Sequence, residues 1–165
     1  MKKIYLSLFI IFALFTLTAC GKGVKGEDGK TTYTCTKNNV RETKDDPVYN
    51  YSQDIKYQAK LDDDGKLTYY LMQWIYTYDT KDNCNYWCDI KVEWNNDINS
   101  HGTVGGHRET TCNCDKKELT EKYVYDDIPN LPSIKRSDIR DLNSDNTFKL
   151  DEWLSRYEKA GYNCG

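Results

Sequence analysis

The sequence contains only two histidines, His101 and His107, and both lie in one glycine-containing stretch. A Ser/His/Asp arrangement needs a histidine beside a nucleophile, and cysteine nucleophiles are lost when cysteines form disulfides. The chain also has no basic excess, with 23 Lys and Arg residues against 26 Asp and Glu residues. Nucleic-acid binding requires a basic face. We therefore predict a protein that is not an enzyme and does not bind nucleic acid.

Long hydrophobic runs are missing except at residues 4–17, which follow Lys2 and Lys3. This run is short for a transmembrane helix and is typical of the apolar region of a signal peptide. The next residues, Leu-Thr-Ala-Cys at 17–20, resemble a bacterial lipobox, in which the cysteine is diacylglycerylated before cleavage. Two acyl chains anchor a protein stably. We expect residues 1–19 to be the signal peptide and Cys20 to carry the lipid on the outer side of the cell membrane. The alternatives are an uncleaved N-terminal anchor and an ordinary signal peptide followed by a Cys at this position by chance.

The seven cysteines support this interpretation, because removing Cys20 leaves six, which suits three disulfides in an oxidising compartment. In an antiparallel hairpin the numbers of facing residues have a nearly constant sum. The nested pairs Cys84–Cys114 and Cys88–Cys112 satisfy this for a hairpin over 84–114, better than the crossed pairs do. Cys35 and Cys164 remain, and would join the first strand to the end of the chain. Six cysteines allow fifteen connectivities, so other pairings stay open.

Alternating apolar residues predict an antiparallel sheet of five to six strands in a single domain over residues 31–165. Residues 20–30 form the lipidated cysteine and a Gly/Lys-rich flexible tether. The predicted strands cover 31–36, 49–61, 66–78, 86–94, 107–114 and 118–128. The strand over 66–78 is apolar on both faces and should lie centrally in the sheet.

A helical period appears only near the C-terminus, where Leu150, Trp153, Leu154 and Tyr157 form one stripe. Gly161 is placed to end this helix in a Schellman motif, with Tyr162 packed on Tyr157. The predicted fold class is therefore α+β: a disulfide-stabilised antiparallel meander with a C-terminal helix packed on one face.

Both ends of the chain resemble the YehR-like family of small bacterial lipoproteins. The resemblance rests on the lipobox, the segment Thr-Cys-Thr-Lys at 34–37 and the ending at 157–164. It implies the lipid anchor, the fold and the Cys35–Cys164 pair. The region 84–114 departs from the family and looks like an added hairpin. The family has no known activity, so the resemblance implies none here.

The segment 141–152 resembles an EF-hand calcium loop, which places oxygen ligands at positions 1, 3, 5, 7, 9 and 12. The candidate ligands are Asp141, Asn143, Asp145, Thr147 and Glu152. Asn146 replaces the usual Gly, Lys149 brings a positive charge, and the preceding residues are a poor entering helix. The alternative is a polar loop that turns the chain and caps the helix.

Two further interpretations concern the histidines and the aromatic residues. His101, His107, Cys112 and Cys114 are zinc-ligand types, but disulfides take precedence in an oxidising compartment. The sequence has 14 Tyr and 4 Trp residues, and exposed aromatic side chains can bind sugars or proteins. We expect a lipid-anchored binding or structural module, with calcium binding and capture of a wall-active protein or glycan as alternatives.

Overall fold

Seven strands form one sheet in the computed structural model, which describes residues 23–43, 49–100, 102 and 104–165. In chain order the elements are β1 (Val24–Lys25), β2 (Thr31–Glu42), β3 (Tyr51–Leu61), β4 (Leu67–Tyr78), α1 (Lys81–Ser100), β5 (Gly106–Asn113), β6 (Glu118–Tyr125), a 3₁₀ turn (Ile128–Asn130), α2 (Ser133–Arg136), α3 (Leu150–Lys159) and β7 (Asn163–Cys164). The strand order is β1-β2-β3-β4-β6-β5, and β7 also pairs with β2. Every strand pairing is antiparallel. An antiparallel sheet together with separate helices confirms the predicted α+β class.

The strand predicted over residues 86–94 is wrong, because this segment lies within the 20-residue helix α1. The helix begins after Thr80, whose hydroxyl accepts a hydrogen bond from the Asn83 backbone N–H at 3.1 Å. Asp82 lies in the first turn, where a negative charge favours a helix. The chain therefore leaves β4 into a helix, reaches the sheet edge at β5 and returns through β6 to the side of β4. This topology replaces the simple meander.

One face of the sheet carries the buried side chains and both long helices. Successive strand residues point to opposite faces, and the register places Tyr57, Met72, Tyr123 and Arg108 in one row across β3, β4, β6 and β5. One core cluster surrounds Tyr70 and includes Trp153 of α3. A second cluster lies at the other end of the same face, below α1. The sheet is thus covered in two halves by two helices.

The C-terminal helix ends as the sequence predicts. Gly161 has a φ of 83°, and its N–H bonds to the Glu158 carbonyl at 2.9 Å. The Tyr162 N–H bonds to the Tyr157 carbonyl at 3.0 Å, and the two rings are 5.1 Å apart. These contacts are those of a Schellman motif, and they confirm the predicted helix end.

The sheet includes part of the segment expected to be a tether. Val24 pairs with Thr32 and Lys25 with Thr31, through a turn closed by the Gly26 N–H and the Lys30 carbonyl at 2.8 Å. The folded part therefore begins before Thr31. Cys20 and the predicted signal peptide lie outside the described residues.

Candidate functional site

Two disulfides fasten α1 to the edge of the sheet. They join Cys84 to Cys114 and Cys88 to Cys112, with Cα–Cα distances of 5.5 and 6.0 Å. The pairs are those favoured from the sequence, but they join helix α1 to the end of β5 and the turn after it, rather than two strands. Four helical residues rise about 6 Å and two strand residues about 6.6 Å, so the two spacings match. The third disulfide joins Cys35 of β2 to Cys164 of β7, which are direct register partners.

Polar side chains fill much of the interface between α1 and the sheet. The Asn95 amide donates to the Thr110 hydroxyl. The Asn99 amide donates to the Arg108 carbonyl at 2.8 Å and accepts from the Arg108 N–H at 3.1 Å. Asn99 thus satisfies the backbone N–H and carbonyl that Arg108 presents at the outer side of the edge strand β5. We call the row of polar side chains that α1 turns towards the sheet, which includes Asn95 and Asn99, the polar seam. The polar seam and the two disulfides hold this helix, where an apolar stripe would normally do so.

A carboxylate is buried under the middle of α1. Glu121 of β6 is 2 % exposed, and its Oε2 accepts from Lys91 Nζ at 3.0 Å and from the Tyr76 hydroxyl at 3.3 Å. Its Oε1 is buried and has no hydrogen-bond partner. Burial raises the pKa of Tyr76, and the Glu121 charge adds to this effect. The positive charge of Lys91 therefore compensates the negative charge of the Glu121 carboxylate in the protein interior.

A cavity of about 350 Å³ lies where the end of α1 approaches α2. Its floor is formed by β5 and β6. The main lining side chains are Ile98, Arg108, Tyr125, Ile134, Lys135 and Asp138. A volume of this order falls within the range of small-molecule sites, roughly 300–1,000 Å³. Three apolar side chains and three charged ones meet there, so this cavity is the candidate binding site.

Two of the three charged groups in the cavity already have partners. Lys135 Nζ donates to the Gly102 and Gly106 carbonyls at 2.8 and 2.9 Å. Burial lowers the pKa of Lys135, and the neighbouring Arg108 charge lowers it further. The Asp138 carboxylate accepts from the Tyr125 hydroxyl at 2.7 Å. Burial of Tyr125 and its bond to Asp138 both raise the pKa of that phenol.

Arg108 differs from the other two charged groups because its guanidinium has neither a hydrogen-bond partner nor an ion-pair partner in the described part of the chain. Its guanidinium carbon lies 4.0 Å from the centre of the Tyr123 ring. Stacking of this kind holds the guanidinium plane while leaving its N–H donors in the plane free. The cavity therefore offers a positioned cationic donor beside apolar walls.

The five candidate calcium ligands do not meet at one point: Asn143, Asp145 and Thr147 bond to one another, whereas Asp141 and Glu152 pair elsewhere. Asp141 is buried and paired with Arg156, with one O–N distance of 3.0 Å. Asp145 accepts from the Thr147 N–H and hydroxyl, and Glu152 lies near Lys149. The described residues contain no group of three or more His, Cys, Asp or Glu side chains placed to hold a metal.

An arginine organises this loop instead. The Arg136 guanidinium donates to the Asn146 side chain and to the Asn143 carbonyl, both at 2.7 Å. Asn146 has a φ of 70°, the left-handed conformation that Asn tolerates. No side chain caps α3, whose N-cap residue is Lys149, so the loop turns the chain without the capping role expected for it.

The zinc-ligand types are also dispersed. Cys112 and Cys114 are in disulfides, and His107 contacts Glu109 at 2.9 Å. His101 lies outside the described residues. Among the helices that the structure describes, none is both long enough and apolar enough to span a bilayer.

The cavity residues were not recognised from the sequence as a site, because their side chains come from four separate segments. One signal was present for Arg108. It lies four residues before Cys112 on the same strand, so it must share the face on which Cys112 bonds to the helix. The positions of Ile134 and Asp138 depend on the irregular chain after β6 and leave no such pattern.

Comparison with known proteins leaves the family open. No family model matches the chain, and no curated protein matches it. An NMR structure of a protein from Streptococcus pneumoniae TIGR4 is similar, with 15% identity and a TM-score of 0.49 over 91% of this chain and 94% of that chain. The resemblance to the YehR-like lipoproteins stays a prediction.

Proposed function

We propose that the chain is an exported bacterial lipoprotein, lipidated at Cys20, whose folded domain is a non-enzymatic binding module outside the cytoplasmic membrane. The observation that carries the proposal is the use of cysteine. All six cysteines after Cys20 are paired in three disulfides, which suits an oxidising compartment. Cys20 is then the one cysteine left for another role. The cavity beside Arg108 is the site that a binding function would use.

Lipidation is tested by growing producing bacteria with an alkyne-labelled fatty acid and comparing Cys20→Ala with the full wild-type chain. We expect the wild type to carry label and to sediment with membranes. Cys20→Ala should carry none and should appear in the medium or as the unprocessed precursor.

The matched control is Ser7→Ala, which alters the apolar run but leaves residues 17–20 intact, and it should behave as the wild type. Equal labelling of Cys20→Ala, or no labelling of the wild type, would contradict the anchor.

A further inference from the structure

We infer that the cavity between α1, α2 and the β5–β6 edge binds a small organic anion with an apolar body and one carboxylate or sulfonate group. The inference rests on the proposed binding function and names its ligand class. It does not depend on the lipid at Cys20.

The walls of the cavity select the apolar body of the ligand. Ile98 projects from the end of α1, Tyr125 forms part of the floor, and Ile134 of α2 lies at the rim with 79 % of its surface exposed. The volume of about 350 Å³ is near the lower end of the small-molecule range. A single ring or a short chain fits this space, and a polymer or a folded domain does not.

Arg108 selects the anionic group. A guanidinium presents its donors in a fixed plane that matches a carboxylate in a two-point hydrogen bond. The Asn99 side chain fixes the Arg108 backbone through two hydrogen bonds, and the Tyr123 ring supports the guanidinium. The donor is therefore positioned before a ligand arrives, which reduces the entropy lost on binding.

The other charges of the cavity are consistent with an anion. Lys135 stays bonded to two backbone carbonyls and adds a positive charge, while Asp138 is bonded by the Tyr125 hydroxyl. The three charged side chains sum to one positive charge. An anion restores neutrality, whereas a cation would meet Arg108 and Lys135 at close range.

The test is calorimetric titration of the full chain in detergent micelles, with empty micelles as the blank. The probes are benzoate, 3-phenylpropionate and benzenesulfonate, together with neutral 3-phenylpropionamide. We expect one-to-one saturable binding of at least one anion, and at least tenfold weaker binding of the neutral amide, because the amide forfeits charge-assisted hydrogen bonds.

The variant is Arg108→Gln, which should weaken anion binding at least tenfold. The matched control is Lys122→Gln, which removes the same charge from the opposite face of the sheet, and it should bind as the wild type does. Arg108→Lys keeps the charge without the planar donors, and should show an intermediate affinity even if Arg108→Gln folds poorly.

The inference is overturned if none of the three anions shows saturable binding, or if Arg108→Gln and the wild type bind them equally. Normal fatty-acid labelling with no anion binding would remove this inference alone. Normal anion binding without labelling of Cys20 would remove the lipid anchor alone.

Discussion

Replacing Lys91 with Ala tests whether the polar seam under α1 is structurally important. The Lys91–Glu121 pair is almost fully enclosed, with side-chain exposures of 18 % and 2 % and an N–O distance of 3.0 Å. Coulomb's law gives about 5 kcal/mol for this distance at an effective dielectric constant of about 20. Removing one partner of a buried pair typically costs about 3–5 kcal/mol, because the other charge stays buried without compensation. Glu121 is poorly placed to recover, since its Oε1 already has no partner.

The assay is urea unfolding with the disulfides intact, followed by circular dichroism and fluorescence. We expect Lys91→Ala to lower the free energy of unfolding by about 3–5 kcal/mol. The matched control on the same helix is Lys81→Ala, which breaks an ion pair whose side chains are 59 % and 85 % exposed. Surface pairs of this kind contribute little to stability, so Lys81→Ala should unfold close to the wild type.

A double variant separates burial of charge from other effects. Lys91→Met combined with Glu121→Leu removes both charges and keeps similar volumes, so its stability should return close to that of the wild type. The reasoning is refuted if Lys91→Ala costs no more than Lys81→Ala, or if the double variant is as unstable as the single one.

Three other perturbations have defined outcomes. Burial raises the pKa of Tyr76 above the ordinary tyrosine value of about 10. The neutral phenol therefore contributes stability at pH values below about 10, and this contribution is lost as the pH rises further. Near-ultraviolet titration should show the ionisation of Tyr76 together with unfolding. Replacing Cys35 and Cys164 by Ser should cost about 5 kcal/mol, against about 3.5 kcal/mol for either shorter loop, because their separation of 129 residues is the longest of the three; urea unfolding of matched double variants measures the difference. Arg136→Ala should lower the melting temperature through loss of its bonds to the 141–147 loop, and millimolar Ca²⁺ should not raise the melting temperature of the wild type or the variant.

The strands of the sheet could be predicted where one face is buried and the other is exposed to solvent, because the sequence then alternates between apolar and polar residues. Strand β3 alternates as the sequence indicates, and β4, apolar on both faces, lies centrally between β3 and β6. Strand β2 was predicted too short, because residues 37–42 carry few apolar side chains. Its second half is held instead by pairing with β3 across a register shift after Lys37.

Helix α1 could not be recognised by its apolar period. Its inward positions include Lys91, Asn95 and Asn99, while Tyr86 and Trp94 are about half exposed. Apolar residues at every second position from 86 to 94 therefore gave the alternating pattern that is typical of a strand. The disulfide pairs were still identified correctly, because a helix spacing of four and a strand spacing of two cover nearly the same distance.

With the proposed lipid on Cys20, the short strand β1 would limit how far the domain can stand from a membrane. The described structure begins at Gly23, three residues after Cys20, and Gly23 packs closely against Thr31 and Tyr33. Three extended residues span about 10 Å. In a chain anchored through Cys20, the β1 edge is thus confined to a thin layer above the lipid headgroups, too narrow for another folded protein to enter. The cavity lies across the sheet from that edge, about 24 Å away at five strand spacings.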